Sequence, residues 1–521
     1  MHHSLSSLEA KMELFSILTS SSFEFQMLIL AGMLISLGSL YVLGYLNLNM
    51  NPGKKLPPGS SFIFDFIGFT TAMQKGKSAE WIASHFRKYG PVFRSRVMAS
   101  QVAILTGQLG NKFLLTANDS IVSDNFKSIE TIFGRRSLSQ VEGSRHKLLK
   151  GALMNMLKPE KLQKFIGEME SIVKRVLLQE LEGKDMVNLV TVSRRVIFAI
   201  TCTMLLGLPE GGMDENILHL EDLKATSRGL MAIPFNIPAT AFGKACKARA
   251  KISKVLYNLV KKRKTETEDE KMGSHKHDMI TSFLNVRDEE GKSLMDEEIV
   301  DNLMTLLLAS NDSTSSLLSL FLQRLGDDNN VYNKVFEEQM EIAKLREGSM
   351  DGKLIWNKTQ SMKYSWRVAQ EIMRLTPPST GGTRISTKDI KFGGYDIPKG
   401  WRLLWVTSPT HMDPDIFQEP EKFDPSRFES SSKSIAKFTY LPFGAGQRIC
   451  PGIEFARIEV LLVIHHLVTN YRWTPMIHDE PVATDPTTPF PAMGLPVKLL
   501  QMVDPESPER GAGSGAGTRA P

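Results

Sequence analysis

The chain has 521 residues, enough to bury a large core, and its 42% hydrophobic and 23% charged residues are an ordinary globular balance. A formal net charge of +6 is small for this length and speaks against a dedicated nucleic-acid binder. The three cysteines, Cys202, Cys246 and Cys450, are too few or too widely spaced for an all-cysteine iron–sulfur cluster, a zinc finger or a disulfide framework, which argues for a reducing compartment.

After a tail, residues 1–26, the stretch Met27 to Leu46 reads MLILAGMLISLGSLYVLGYL. It is uncharged and matches the about 20 residues of one bilayer-spanning helix. A cleaved secretory signal is the other reading, although the apolar core of a signal is usually about 7–15 residues. Glu9, Glu13 and Glu24 precede the span and Lys54 and Lys55 follow it, so the positive-inside rule puts the C-terminal side in the cytoplasm. Within a proline-rich stretch, 47–60, KKLPPGS stops any helix; it either fixes the angle between anchor and body or is an ordinary linker.

From 61 to 503 there is no long linker, repeat or charge block, so one compact unit is expected, mainly α with small β-sheets. Helical periodicity is clear in EKLQKFIGEMESIVKRVLLQELEG and AKISKVLYNLVKKRK, and PVFRSRV, QVAILTG and DIKFGGYDI look like strands. Cys202, in VIFAITCTMLLGL, reads as an inert core residue; Cys246, in GKACKARAK, lies among lysines without a recognisable partner. The end, 504–521, is small, polar and rich in Gly and Pro, and is expected to be disordered.

Glu297 to Leu325 reads as a long apolar helix with a polar centre, SNDSTSS from Ser310 to Ser316. A second membrane span is discounted, because a central Asp costs roughly 2.5–3.5 kcal/mol on insertion. Two readings stand: a solvated face, or a buried helix opened for chemistry in which Asp312 and Ser313 pass protons. In SWRVAQEIMRLTPP, Glu371 and Arg374 share a helix face and can pair, a contact worth about 0–1 kcal/mol if exposed. FDPSRF sets Arg427 in an aromatic, proline-bounded loop, either on the surface or docked on Glu371. Finally, LPFGAGQRICPG, Leu441 to Gly452, carries Cys450 at the end of a glycine-rich loop, so something has to approach that sulfur closely.

These pieces together resemble the cytochrome P-450 monooxygenases. FGAGQRIC, Phe443 to Cys450, is similar to the family's cysteine loop F-x-x-G-x-R-x-C; Glu371 and Arg374 to its E-x-x-R; PSRF, Pro425 to Phe428, to its P-x-R-F; ASNDST, Ala309 to Thr314, to its oxygen-binding pattern A/G-G-x-D/E-T-T/S; and KLPPG to its proline hinge. The motifs stand in family order across roughly residues 25–500. The resemblance implies the cytochrome P-450 fold preceded by one N-terminal transmembrane helix. It implies haem b with Cys450 as axial thiolate, a strong donor that favours O–O cleavage. Gly444, Gly446 and Gly452 would let the backbone come close, Phe443 would cover the sulfur side, and Arg448 would pair with a propionate. His146 and Lys150, in GSRHKLLK, and Arg384 would be further propionate partners. Ala309 would sit beside dioxygen, with Asp312, Ser313 and Thr314 as the acid and hydroxyl groups there. Glu371, Arg374 and Arg427 would form a buried structural cluster behind the loop. Four departures are visible: Ser310 stands for a glycine, Ser313 for a threonine and Lys150 for an arginine, and GDDNNVY lacks the usual proline-containing turn.

The implied enzyme is single-pass in the endoplasmic reticulum membrane with a cytoplasmic catalytic domain, fed by NADPH–cytochrome reductase and using O2 on a hydrophobic small molecule. FGGYDIPKGWRLLWVTSPTH, IEFARIEVLLVIHHLV and ASNDSTSS are most similar to plant taxane and triterpenoid hydroxylases, which implies a terpenoid or steroid-like substrate. Thr380 to Thr383 and Ile132–Phe133 would line the pocket, and GLMAIPFNIPATAF either dips into the membrane or is a buried loop. A haem-thiolate isomerase or dehydratase that uses no O2, and a non-catalytic haem- or sterol-binding membrane protein, are the other readings; the retained acid and hydroxyl favour monooxygenation.

Overall fold

Helical periodicity dominates the sequence, and helices dominate the computed structural model. It describes residues 53–59 and 68–502, apart from 70, 73–76, 98–99, 118–119, 125, 209–217, 270–277, 348–355, 430–433 and 486, together with four positions between 32 and 39. The expected span 27–46, those four positions excepted, and the expected disordered tail 504–521 lie outside the described residues.

The long helix, Asp296–Asp327, is unbroken through its polar centre. Asp296, Glu297 and Glu298 sit in its first turn and Arg324 in its last, each facing the complementary end of the helix dipole. Around it pack Leu189–Leu206, Ala241–Asp269 and the C-terminal helix Ile453–Asn470, forming the largest core cluster. Leu189–Leu206 is long and apolar enough to cross a bilayer. It is, however, almost wholly buried inside the body, capped by the Asn188 side chain on the Thr191 N–H at 3.0 Å and ended by left-handed Gly207, so it is a core helix. Cys202 lies on it, buried, its thiol pushed up to about 12, which is the inert core cysteine expected.

Beside the helices lies a five-stranded sheet in the order Val92–Val97, Ser100–Leu105, Arg402–Val406, Gly381–Ser386, Ile121–Ser123. Ser100–Leu105 pairs with Arg402–Val406 in parallel, and the other neighbours are antiparallel. This sheet places Arg384 opposite Leu403 and Ser123. DIKFGGYDI, expected only to be strand-like, forms a hairpin, Ile390–Phe392 with Tyr395–Ile397, its turn made by Gly393 and Gly394, both at positive φ.

The KLPPG segment is not a free linker. The Lys55 N–H donates to Asp396 Oδ2 at 2.8 Å, the Asp396 N–H returns to the Lys55 carbonyl, and the Pro58 carbonyl accepts from the Arg94 N–H at 2.8 Å. Gly59 lies so close to Arg94 that a Cβ would collide with its backbone. GDDNNVY does its work without proline: Asp328 ends the long helix and its side chain accepts the Asn330 and Val331 N–H groups, starting the next helix, Asn329–Glu347.

Candidate haem-thiolate site

The cysteine loop is folded by its own backbone. The Cys450 N–H donates to the Phe443 carbonyl at 3.0 Å, and Gly444 and Gly446 both adopt left-handed φ, which only glycine holds cheaply. Gly446 also abuts the Leu115 carbonyl so closely that no side chain fits. Gly452 differs from expectation: its φ of −91° suits any residue. Its use is proximity, since its N–H reaches the Cys450 sulfur and its own Cβ position lies 3.8 Å from that sulfur. The Cys450 side chain is accessible from a concavity, although dense protein surrounds its other sides. Burial therefore pushes the thiol up, against the Gly452 N–H and the Lys150 ammonium, which favour the thiolate. The sulfur also sits at the positive end of Ile453–Asn470. These groups do not by themselves hold it as an anion; a ligated cation would.

Basic side chains from three elements converge on this loop. His146 and Lys150 are on the helix Gly143–Met156, Arg384 on the sheet and Arg448 in the loop itself. The Lys150 ammonium donates to the Gln447 carbonyl. Arg448 donates to the Leu138 and Val141 carbonyls at 2.8 and 2.6 Å and pairs with Glu142 at 2.7 Å. His146 is pushed down to about 4, first by burial and then by Arg448 and Lys150, with Arg384 adding to it. Burial and Arg448 likewise lower Arg384. Four bases thus face one another with Glu142 as the carboxylate among them.

At the centre of the long helix, Ala309 is exposed and Thr305, Leu306, Ser310 and Ser313 are half-buried, while most of their neighbours are buried. Ser313 returns its hydroxyl to the Ala309 carbonyl at 2.7 Å. Asp312 is buried, which decides against the solvated-face reading; it accepts from Ser227 at 2.5 Å, on the helix Leu220–Arg228. Burial pushes its carboxyl above the ordinary range, against Ser227, Arg194 and Asn311. Thr314 is turned the other way, toward the fully buried Glu459 on Ile453–Asn470, whose carboxyl burial raises well above its usual range. Ser310 lies between, its hydroxyl sharing a 2.9 Å hydrogen bond with that of Thr201.

Behind the loop, Glu371 and Arg374 are 0% exposed and paired bidentately, Nε to Oε2 at 2.7 Å and Nη2 to Oε1 at 2.8 Å. Arg427 Nε joins at 3.3 Å, and the Asp424 N–H donates to the same carboxylate at 2.9 Å. Motif reading did not assign His411. It accepts the Leu441 N–H on Nε2 at 2.9 Å and faces the Arg374 carbonyl through Nδ1 at 3.1 Å, stacking on Tyr440. Because a backbone N–H can only donate, the ring proton is on Nδ1. This histidine joins the charged cluster to the first residue of the cysteine loop.

Residues 56–502 match the cytochrome P-450 family. The chain belongs to that family. Among curated relatives it is similar to a taxane 10-beta-hydroxylase of Taxus cuspidata, 35% identical over 87% of this chain and 91% of the relative. A beta-amyrin 28-monooxygenase of Medicago truncatula is 33% identical over 92% of this chain and 98% of its own. Among solved structures, retinoic acid-bound cyanobacterial CYP120A1 superposes with a TM-score of 0.77 at 28% identity, covering 86% of this chain and all of that one. The fold is thus the cytochrome P-450 fold, and the protein is a cytochrome P-450 monooxygenase whose cofactor is a cysteine-ligated haem.

The residues of this cytochrome P-450 fit such a group. An accessible sulfur with an N–H on it suits an iron ligand, and four converging bases with one carboxylate suit an anion carrying two propionates. Besides His411, sequence reasoning missed Thr201, Ser227 and Glu459. Thr201 and Glu459 lie on largely apolar helices that carry other polar residues too, and Ser227 on the mostly polar Leu220–Arg228, so nothing local in the sequence sets them apart from their polar neighbours.

Proposed function

We propose that this enzyme hydroxylates an apolar terpenoid at the endoplasmic reticulum membrane, with electrons from NADPH delivered by a reductase, and that Cys450 is the axial ligand. The carrying observation is the Cys450 sulfur at the head of Ile453–Asn470, ringed by Arg448, Lys150, His146 and Arg384. When bound, the haem supplies the activation of dioxygen. Arg448, Arg384 and Lys150 would hold its carboxylates, and neutral His146 would offer a ring nitrogen there. Asp312, whose proton is retained to higher pH by burial, and the Ser313 hydroxyl would be the groups of this chain that hold and pass a proton there. The substrate class rests on the taxane and beta-amyrin relatives.

Membrane contact extends beyond the N-terminal span. Ile233, Phe235 and Ile237 are 57%, 65% and 56% exposed. The Thr240 hydroxyl donates to the Phe235 and Ile237 carbonyls, both at 2.8 Å, and accepts the Gly243 N–H at 3.0 Å, so this apolar tip is a rigid extension of the helix Ala241–Asp269. Such a tip favours the bilayer, where the opening for an apolar substrate belongs.

Co-expression with a reductase, a reduced carbon-monoxide difference spectrum and product analysis on di- and triterpene scaffolds test the proposal. A normal thiolate spectrum with NADPH-dependent terpenoid products is expected. A normal spectrum without product on any such scaffold would count against the substrate class, and turnover without NADPH would favour the isomerase reading.

A further inference from the structure

Arg448 is oriented by one irregular stretch of chain. Its guanidinium donates to the Leu138 and Val141 carbonyls and pairs with Glu142, three acceptors that all lie in residues 134–142. That stretch joins the helices Lys127–Phe133 and Gly143–Met156 by turns, with no ladder of its own to keep its carbonyls in place. The long helix supplies the hold. Gly134 opens the stretch at left-handed φ, and a Cβ there would strike the Asp301 carboxylate. Asp301 accepts the Arg136 N–H at 3.2 Å and is itself held by Arg249 at 2.7 Å. Asn302, 2% exposed, accepts the Leu138 N–H on Oδ1 at 2.8 Å. Its Nδ2 donates to the Arg136 carbonyl at 3.1 Å and to the Glu298 carbonyl at 2.8 Å. A backbone N–H only donates and a carbonyl only accepts, so the orientation of the amide is settled by its partners.

We infer that Asn302 is a positioning residue for the haem carboxylate site: by fixing Leu138 it fixes the direction of the Arg448 guanidinium. Leu138 is the link, since its N–H is taken by Asn302 and its carbonyl by Arg448. Asparagine is a poor helix former and is costly to bury. Among buried Ile299, Val300, Leu303 and Met304, Asn302 has its oxygen and its amide nitrogen bonded, which offsets that cost. An apolar residue of similar size would fill the space equally well, but it could not hold Leu138. The consequence reaches the cofactor. A guanidinium pinned on the Leu138 and Val141 carbonyls points its remaining N–H groups one way. Released from Leu138, it would neutralise a haem carboxylate less well. The inference deepens the proposed function and rests on its reading of Arg448 as a carboxylate partner.

The test uses the full chain loaded with haem and reads the rate of haem transfer to excess apomyoglobin, the haem reduction potential and the melting temperature. Asn302→Leu should speed haem release about tenfold, the effect of weakening one hydrogen bond to a charged group. The potential should fall, because a less neutralised carboxylate favours ferric iron. Arg448→Gln should do both more strongly. Adding Asn302→Leu to it should change neither further, while still lowering the melting temperature. Asp301→Ala is the control for mere loosening of the stretch. It frees the Arg136 N–H but leaves Leu138 bonded, so it should lower the melting temperature without speeding haem release. A wild-type release rate in Asn302→Leu, additive effects with Arg448→Gln, or equally fast release in Asp301→Ala would overturn the inference. If Arg448→Gln itself holds haem as the wild type does, the carboxylate reading of Arg448 falls and takes this inference with it. If Arg448→Gln releases haem faster and Asn302→Leu does not, only the role of Asn302 falls. Should Asn302→Leu or Arg448→Gln fail to load haem, Asn302→Ser, too short to reach Leu138, and Arg448→Lys take their places in each comparison.

Discussion

Replacing His411 with Phe tests the link between the charged cluster and the cysteine loop. The ring is fully buried and is pushed down to about 4, first by burial, with the hydrogen bond to the Arg374 carbonyl opposing this and the Arg374 charge adding to it. The unfolded chain titrates near 6.5, so the native fold favours the neutral ring. Between pH 6.5 and about 4 the unfolded chain binds more protons, so stability that is whole above 6.5 is lost as pH falls through that window. A fall from 6.5 to about 4, at 1.36 kcal/mol per pH unit, is worth about 3 kcal/mol. In His411→Phe the Leu441 N–H and the Arg374 carbonyl each lose their imidazole partner, at about 1–3 kcal/mol apiece near pH 7. Urea unfolding, followed at the haem Soret band from pH 7.5 to 4, should show a variant less stable at pH 7.5 but with a shallower acid decline. A residual decline from His146 should remain, because that ring is lowered by its own burial and cations. Parallel stability curves for variant and wild type would refute the buried, neutral assignment of His411.

Cys450→Ala should abolish the thiolate carbon-monoxide spectrum; a retained spectrum would refute the ligand assignment. Glu371→Gln leaves Arg374 buried without its carboxylate, which should destabilise the protein by about 3–5 kcal/mol and show as poor haem retention during purification. Asp312→Asn should lower product formation per second by about a hundredfold while leaving the substrate-induced spectral change intact, since a proton carrier is lost and no substrate contact. Phe235→Asp with Ile237→Asp should raise the KM for a membrane-partitioned substrate severalfold without altering kcat or the carbon-monoxide spectrum; an unchanged KM would mean that the apolar tip does not meet the bilayer.

Motifs with local chemistry were legible from sequence. The glycine-rich cysteine loop announces a close backbone approach, and E-x-x-R announces a shared helix face, because both signals lie within a few residues of one another. The long helix was legible in extent but not in orientation. Periodicity gave its length, yet whether Asp312 faced solvent or core depended on Ser227, 85 positions away in sequence. Thr314 was grouped with Asp312 and Ser313 by motif, but one further residue turns it through about 100° on a helix, toward Glu459. Leu189–Leu206 shows the reverse ambiguity: its composition suits a membrane as well as a core, and only the packing of neighbouring helices around it separates the two.

The charged cluster is better understood as a locator than as a source of stability. A buried ion pair barely repays the desolvation of its two charges, so Glu371 and Arg374 add little beyond what apolar side chains of similar volume would contribute. What apolar side chains could not do is assign partners. Arg374 donates to the carbonyls of His411 and Lys422, Arg427 to those of Gln418 and Glu419, and Glu371 accepts from the Asp424 backbone. Each bond has a direction and a length, so together they fix the helix Lys363–Leu375 against the segment 418–427. His411 then passes that position to Leu441, nine residues before the sulfur. The loop that presents Cys450 has two left-handed glycines and few side chains of its own to hold it. Its position is therefore set from outside, by a cluster whose energetic return is a defined place for one sulfur atom.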